Sequence, residues 1–136
     1  MATNATTRQT LKKAERITCR KDIERLFGGG GSRAMSAFPI RMVYLKGEQA
    51  AAGQPQAQML VSVPKRHFKR AVKRNRVKRQ VREAYRKNKQ AILAPLAAHP
   101  EARVSVAFIW LDDKLWASDE VESRVRNLLE RLGEKL

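Results

Sequence analysis

The stretch Leu60–Arg86, "LVSVPKRHFKRAVKRNRVKRQVREAYR", changes from a strand pattern to a helix pattern after a single proline. The apolar run predicts a β-strand over Ala57–Val63, which Pro64 ends because proline cannot donate to a strand ladder. Beyond it, a helix beginning near Ala71 would carry one apolar stripe at about 100° per residue. Phe68 is out of phase with that stripe, so we expect it to pack from the loop before the helix. The stripe comprises Val77, Val81, Ala84 and Tyr85.

The opposite side of this helix is polar and mostly basic. It comprises Asn75, Arg79, Arg82 and Arg86, with Lys78 at its flank. A helix face that only meets water usually mixes charge signs four residues apart, because like charges at that spacing are mildly destabilising. Here like charges recur at that spacing. We therefore interpret this side as a phosphate-binding surface, with a solvated helix face and a disordered basic tail as the alternatives.

The positive charge of the chain is concentrated around this helix. The window Lys65–Lys89 holds 13 of the 29 Lys and Arg residues and one acid, whereas residues 101–136 hold six basic and eight acidic residues. A net charge of +16 points to nucleic acid as the partner. An anionic membrane fits less well, since an interfacial helix carries bulky apolar side chains opposite its charges. The loop before the helix adds the cations Lys65, Arg66, Lys69 and Arg70, near a helix N-terminus that favours anions.

The remaining sequence predicts a single domain, 16–136, preceded by a flexible basic arm, 1–15. A short helix is expected from Thr18 or Cys19 to a stop at Gly28, followed by a plain glycine loop. There is no secretory signal pattern and no apolar run long enough to span a membrane. The single cysteine fits a reducing compartment, so a cytoplasmic protein is expected.

The other elements define the fold class. Ala37–Leu45 predicts a strand whose proline favours an edge position, and residues 46–56 predict a hairpin loop to the next strand. Arg103–Leu111 is the most strand-like run and is expected at the centre of the sheet. Residues 94–102 read as a loop, and Ser118 as the N-cap of a closing helix. The order helix, strand, strand, helix, strand, helix predicts an α+β fold, a small mixed sheet packed with helices in a two-layer sandwich.

Few residues are suited to catalysis. His67 lies in the basic loop, where we expect it to contact phosphate or solvent, and His99 is expected at the surface. Asp112 and Asp113 follow the predicted central strand, and we interpret them as a turn, since a Mg²⁺ site would need further oxygen ligands. Neither a zinc ligand set nor a nucleophile triad is recognisable. If the protein takes part in catalysis, another molecule is expected to supply the reactive centre.

Four segments occur in an order that is typical of one family. The segment "RNRVKRQVRE" (Arg74–Glu83) contains an Arg-Asn-Arg signature, and "LVSVPKRHFKRAVKRNRVKR" places it after a strand and a basic turn. Upstream, "RKDIERLF" matches a first helix and "AFPIRMVYL" the strand that follows. Together they resemble the bacterial ribonuclease P protein subunit over residues 11–133.

This resemblance implies an α+β sandwich with a left-handed crossover through the basic helix, against the general right-handed rule. It also implies a subunit of an endoribonuclease holoenzyme that removes the 5′ leader from precursor tRNA. In that family a large catalytic RNA holds the Mg²⁺-dependent active site, so the protein alone is expected to be inactive. The expected partners are the catalytic RNA and precursor tRNA, with no membrane and no obligate protein partner.

The resemblance also suggests site residues. Ile23 stands where the family commonly has a phenylalanine, and Phe27 is expected either to stack on the leader or to lie in the core. The signature residues expected to face the catalytic RNA are Arg74, Asn75, Arg76, Lys78, Arg79 and Arg82. The charge pattern adds Lys69, Arg70 and Arg86 to this RNA-binding set. In the family, the leader lies between the first helix and the sheet, and the matching positions are Phe27, Arg41, Ser62, Lys65 and Arg66.

Two other classes of protein share this charge and size. A structural rRNA-binding protein of the ribosome would carry the same basic surface. A DNA-binding regulator of the helix-turn-helix type would need a short helix before its recognition helix, and here a strand and Pro64 precede it.

Overall fold

The structure is a computed structural model that describes residues 11, 13–17, 20–28, 31–48 and 55–136. A short 3₁₀ turn, Lys13–Glu15, precedes the regular elements. The helices are α1 (Arg20–Phe27), α2 (Ala71–Asn88), α3 (Gln90–Ala97) and α4 (Ser118–Gly133). The strands are β1 (Arg33–Ala37), β2 (Ile40–Glu48), β3 (Ala57–Ser62) and β4 (Ala102–Trp110). The predicted α+β class is confirmed, and α2 begins at the expected residue.

The four strands form one mixed sheet in the order β1-β2-β4-β3. β4 is central, as its composition predicted; it pairs antiparallel with β2 and parallel with β3. The predicted single strand Ala37–Leu45 is divided in two by a turn at Phe38–Pro39, whose peptide bond is cis. The edge assignment was wrong, because β2 lies between two partners and Pro39 occupies the turn, where it removes no ladder hydrogen bond.

The predicted hairpin between the second and third strands is also wrong. β4 lies between β2 and β3, so these two strands are not hydrogen-bonded neighbours. Lys46 to Glu48 belong to β2, and residues 49–54 lie outside the described residues. α2 and α3 connect β3 to its parallel neighbour β4. The left-handed sense of this crossover stays a prediction.

The main core lies on the sheet face that α2, α3 and α4 cover. Successive strand residues point to opposite faces, and Val104, Val106, Phe108 and Trp110 of β4 all join this core. The helices contribute the two stripes expected from their sequences. On α2 these are Val77, Val81, Ala84 and Tyr85, and on α4 they are Val121, Val125, Leu128, Leu129 and Leu132, all of them buried. Phe68 is buried from the loop before α2, as its phase predicted.

A smaller core lies on the other face of the sheet, under α1. Leu26 is fully buried there, together with Val43 and Ala107 from the sheet and Ile17 from the segment before the helix. This helix therefore adds a partial third layer to the two-layer sandwich. No helix in the described ranges is both long and apolar enough to cross a bilayer.

The arm assigned to residues 1–15 ends earlier than predicted. The side-chain amide of Gln58 donates to the carbonyl of Ala14 at 2.9 Å, and Lys89 Nζ lies 2.7 Å from Glu15 Oε1. Leu11 packs against the main core. The last part of the arm is thus attached to the domain, while residues 1–10 lie outside the described residues.

Two local predictions also need correction. The loop assigned to residues 94–102 begins as the second half of α3, which contains Pro95. Ile92 and Leu96, four residues apart, are both buried, so tertiary packing maintains a helix that the proline argued against. Ser118 is the first helical residue, and Ala117 before it occupies the N-cap position without a side-chain hydrogen bond.

Candidate nucleic-acid interface

The exposed side of α2 follows directly from the burial of its apolar stripe. With Val77 and Val81 against the core, Asn75, Arg76 and Arg79 are exposed, and Lys78 and Arg82 are half-buried. Burial, and then the nearby charge of Arg16, lower the pKa of the Arg82 guanidinium. Arg16 comes from the segment before α1, so a second element brings positive charge to this side. Such a meeting of like charges favours a bound anion.

Within the described residues, ion pairs neutralise the C-terminal end of α2 and leave the rest open. The pairs join Arg86 to Glu83, Lys87 to Glu122 at 3.8 Å, and Lys89 to Glu15 at 2.7 Å. From Lys65 to Arg82, no lysine or arginine pairs with a described carboxylate. We call the ten cations of this interval the basic surface: Lys65, Arg66, Lys69, Arg70, Lys73, Arg74, Arg76, Lys78, Arg79 and Arg82.

The basic surface shares seven residues with the predicted RNA-binding set; it omits the uncharged Asn75 and Arg86, and it adds Lys73 together with Lys65 and Arg66 from the predicted leader-binding set. Arg86, which was included, is engaged by Glu83 one turn before it. Lys73, which was not included, is exposed near the start of α2. Helical spacing could not have predicted this exposure, because Lys73 lies four residues before the buried Val77 and therefore on the same side of α2.

The loop before α2 carries four exposed cations and is fixed by contacts to the core and to α2. Phe68 anchors it in the core, and the Arg74 guanidinium donates to the backbone carbonyls of Phe68 and Lys69, each at 2.8 Å. Arg74, which was expected to face the catalytic RNA, therefore uses part of its guanidinium to fix this loop. The four cations are Lys65, Arg66, Lys69 and Arg70.

A second part of the interface lies on the sheet face that α1 covers. Strand register places Arg41, Ile109 and Ser62 side by side across β2, β4 and β3, and residues opposite each other point to the same face. Phe27 lies one helical turn after Ile23, which packs on this face, yet 45% of its surface is exposed. Phe27 is therefore not a core residue. We call this row together with Phe27 the cleft, after the leader-binding cleft that the resemblance implies between the first helix and the sheet.

The cleft adjoins the basic surface. β3 ends at Ser62, and the three-residue turn that begins at Lys65 follows after Val63 and Pro64. The structure thus brings all five predicted leader-binding positions to the α1 face or to the edge beside it.

His67 is placed differently from the prediction. Its imidazole is 11% exposed, and its Nδ1 lies 2.6 Å from Oδ1 of Asp113, in the loop after β4. Its Nε2 is buried and has no hydrogen-bond partner among the described residues. The ring is directed towards the β4–α4 loop and not towards solvent, whereas a contact with phosphate stays a prediction. Local sequence carries no signal for a contact across 46 positions.

Asp112 stabilises the β4–α4 loop. Its carboxylate accepts hydrogen bonds from Trp116 Nε1 and from the backbone N–H of Asp113, both at 2.8 Å. The bond from Trp116 lowers the pKa of Asp112, with a smaller contribution from the backbone donors. These bonds hold the Asp112 carboxylate within the loop after β4. In the described part of the chain, no group of three or more His, Cys, Asp or Glu side chains is placed to hold a metal ion, and His99 is exposed, as expected.

Comparisons with known proteins identify the family. The sequence model of the family described as Ribonuclease P matches residues 11–133. A ribonuclease P protein component of Porphyromonas gingivalis is 41% identical over 123 residues, which cover 90% of this chain and 86% of that protein. The chain belongs to the ribonuclease P protein family. The protein component from a second strain of the same species is 40% identical over the same length.

Solved structures of this family share the fold. The RNase P protein from Thermotoga maritima superposes with a TM-score of 0.63 at 21% identity, covering 86% of this chain and 96% of that one. An RNase P protein mutant from Staphylococcus aureus gives a TM-score of 0.65 at 18% identity, covering 88% and 89%. Membership of the family implies a role in a ribonuclease P holoenzyme with an RNA partner.

Proposed function

We propose that this ribonuclease P family protein binds the catalytic RNA through its basic surface and the 5′ leader of precursor tRNA through its cleft. The observation that carries the proposal is the charge arrangement on α2. Carboxylates neutralise its C-terminal end, whereas ten cations before that end have no acidic partner among the described residues. Cations without an acidic partner are available to bind RNA phosphates. Such binding would release the counterions condensed on the RNA, which favours association.

The cleft is suited to an extended single strand. Phe27 offers an exposed ring for base stacking, which is typically worth about 1–3 kcal/mol per base. Arg41 and Ser62 offer a charge and a hydroxyl from neighbouring positions in the sheet. Because the cleft adjoins Lys65 and Arg66, a leader in the cleft would lie beside cations that can contact its backbone.

We further propose that the reactive centre, including its Mg²⁺, belongs to the RNA. The described protein residues do not fit a metal site, since they offer no cluster of three ligands. The protein would contribute by neutralising phosphates and by holding the leader, which strengthens substrate binding and lowers the Mg²⁺ that the RNA requires. We place this activity in the cytoplasm.

Reconstitution with the catalytic RNA of the same organism tests the proposal. The protein alone should not cleave precursor tRNA, and adding it to the RNA should restore cleavage at a Mg²⁺ concentration at which the RNA alone is slow. The matched control is a protein with Arg76, Arg79 and Arg82 replaced by glutamine, which keeps the fold and removes three charges from the basic surface. A wild-type protein that leaves the Mg²⁺ requirement unchanged would contradict the proposal.

A further inference from the structure

The side chain of His67 connects the turn that carries Lys65 and Arg66 to the loop after β4. Val63 and Phe68 are buried on either side of it. Of the four residues between them, Lys65 and Arg66 are exposed, and within the described part of the chain only His67 forms a side-chain hydrogen bond to another element. Arg74 fixes the loop further on, at the carbonyls of Phe68 and Lys69. The half of the loop that borders the cleft therefore depends on His67.

The partner of His67 is itself held in position. The backbone N–H of Asp113 donates to Asp112, whose carboxylate also accepts from Trp116. The backbone carbonyl of Trp116 in turn accepts a hydrogen bond at 2.9 Å from the side chain of Gln80 on α2. Asp113 thus reaches His67 from a loop that is bonded both within itself and to the basic helix.

Neutralisation of a nearby lysine or arginine does not explain the position of the Asp113 carboxylate beside His67. Its carboxylate is 75% exposed and lies beside the cationic turn, yet it pairs with His67 and with no described lysine or arginine. A negative charge at this place would by itself repel a polyanion. In addition, the bonded imidazole leaves Nε2 buried and unpaired among the described residues, which is unfavourable. A contact kept despite both penalties is consistent with a positioning role.

We propose that Asp113, acting through His67, is a positioning residue that orients Lys65 and Arg66 towards the leader of precursor tRNA. This inference rests on the proposed function, because it assigns the leader to the cleft and to this turn. It separates the turn from the rest of the basic surface: loss of the contact should weaken leader binding, while α2 continues to bind the catalytic RNA.

The sign of the effect distinguishes positioning from charge. Asp113→Ala removes both the negative charge and the acceptor, whereas Asp113→Asn removes the charge and keeps an oxygen that can accept from Nδ1. If Asp113 only repelled phosphate, both variants would bind precursor tRNA more tightly. If it positions the turn, Asp113→Ala binds more weakly and Asp113→Asn recovers the loss. Asp119→Ala, an exposed carboxylate on the first turn of α4, is the control for the change in net charge.

The experiment measures the affinity of the reconstituted holoenzyme for precursor tRNA and for mature tRNA, and of each protein for the catalytic RNA. We expect Asp113→Ala to weaken precursor binding by about tenfold, the equivalent of one hydrogen bond to a charged group, with mature tRNA and catalytic RNA affected less than about twofold. Precursor binding by Asp113→Ala that equals or exceeds wild type would overturn the inference, as would Asp113→Asn binding as weakly as Asp113→Ala.

Hydrogen exchange of the free protein gives a readout that does not depend on RNA. The His67 backbone N–H donates to the Pro64 carbonyl at 3.1 Å and closes the turn. This amide should exchange faster in Asp113→Ala than in wild type or Asp119→Ala, and unchanged exchange would also overturn the inference. If instead the wild-type protein failed to improve precursor binding by the RNA, the proposed function would fail, and hydrogen exchange would still report on the turn.

Discussion

Two alanine substitutions on α2 should separate RNA binding from folding. Arg79 is exposed and pairs with no described carboxylate, whereas Val81, two residues later, is 1% exposed in the main core. Successive positions two apart point about 200° from each other on a helix. Arg79→Ala should therefore change RNA binding without changing stability, and Val81→Ala should do the reverse.

The expected magnitudes differ clearly. Val81→Ala removes two buried methyl groups at about 0.8 kcal/mol each and leaves a small cavity, so we expect a loss of about 2 kcal/mol. For a domain of this size, that lowers Tm by about 5–10 °C. Arg79→Ala should change stability by less than about 0.5 kcal/mol, as surface substitutions usually do.

The binding assay uses salt to count phosphate contacts. Removing one contact should reduce the slope of log K against log salt by about 0.9 on a duplex. Between 50 and 200 mM salt, the affinity difference between Arg79→Ala and wild type should therefore shrink by about threefold. Thermal unfolding and binding to the catalytic RNA at four salt concentrations provide both measurements. An unchanged slope for Arg79→Ala, or a flattened slope for folded Val81→Ala, would refute the division of α2 into two sides.

Three further predictions concern the cleft, the attached arm and the β4–α4 loop. Phe27→Ala should weaken precursor tRNA binding by at least about fivefold, because one stacked base is worth 1–3 kcal/mol, and should leave catalytic RNA binding unchanged in the same titrations. Glu15→Gln should destabilise the fold by about 1.5–3 kcal/mol, since it replaces the carboxylate 2.7 Å from the buried Lys89 with a neutral acceptor; chemical denaturation measures this, and unchanged stability would contradict it. Asp112 has a lowered pKa in the folded state, so its contribution is present above its ordinary value of 3.8 and is lost as pH falls through the lower folded value. Asp112→Asn should therefore unfold with a weaker pH dependence below pH 4 than wild type does, as followed by circular dichroism.

Sequence patterns that repeat over short distances were sufficient to predict several elements of the fold. The buried stripe of α2, its start at Ala71 and the stripe of α4 all follow from spacings of three and four residues. The central place of β4 follows from its run of β-branched and aromatic residues. The concentration of cations after Pro64 and the Arg-Asn-Arg signature were equally visible, and they led to the family that the comparisons confirmed.

Contacts between segments that are distant in sequence became visible only in the folded chain. Nothing local to β2 and β3 shows that β4 lies between them, because strand pairing depends on the packing of both faces of the sheet. Burial of Ile92 and Leu96 extends α3 through a proline for the same reason. Ionic and hydrogen-bonded contacts show this most clearly: Glu15 and Glu122 reach the end of α2 from opposite ends of the chain, and Asp113 reaches His67 across 46 positions. Periodicity shows which residues are neighbours within one helix or strand. It cannot show which lysines and arginines lack an acidic partner, because that depends on where folding places the carboxylates of distant segments.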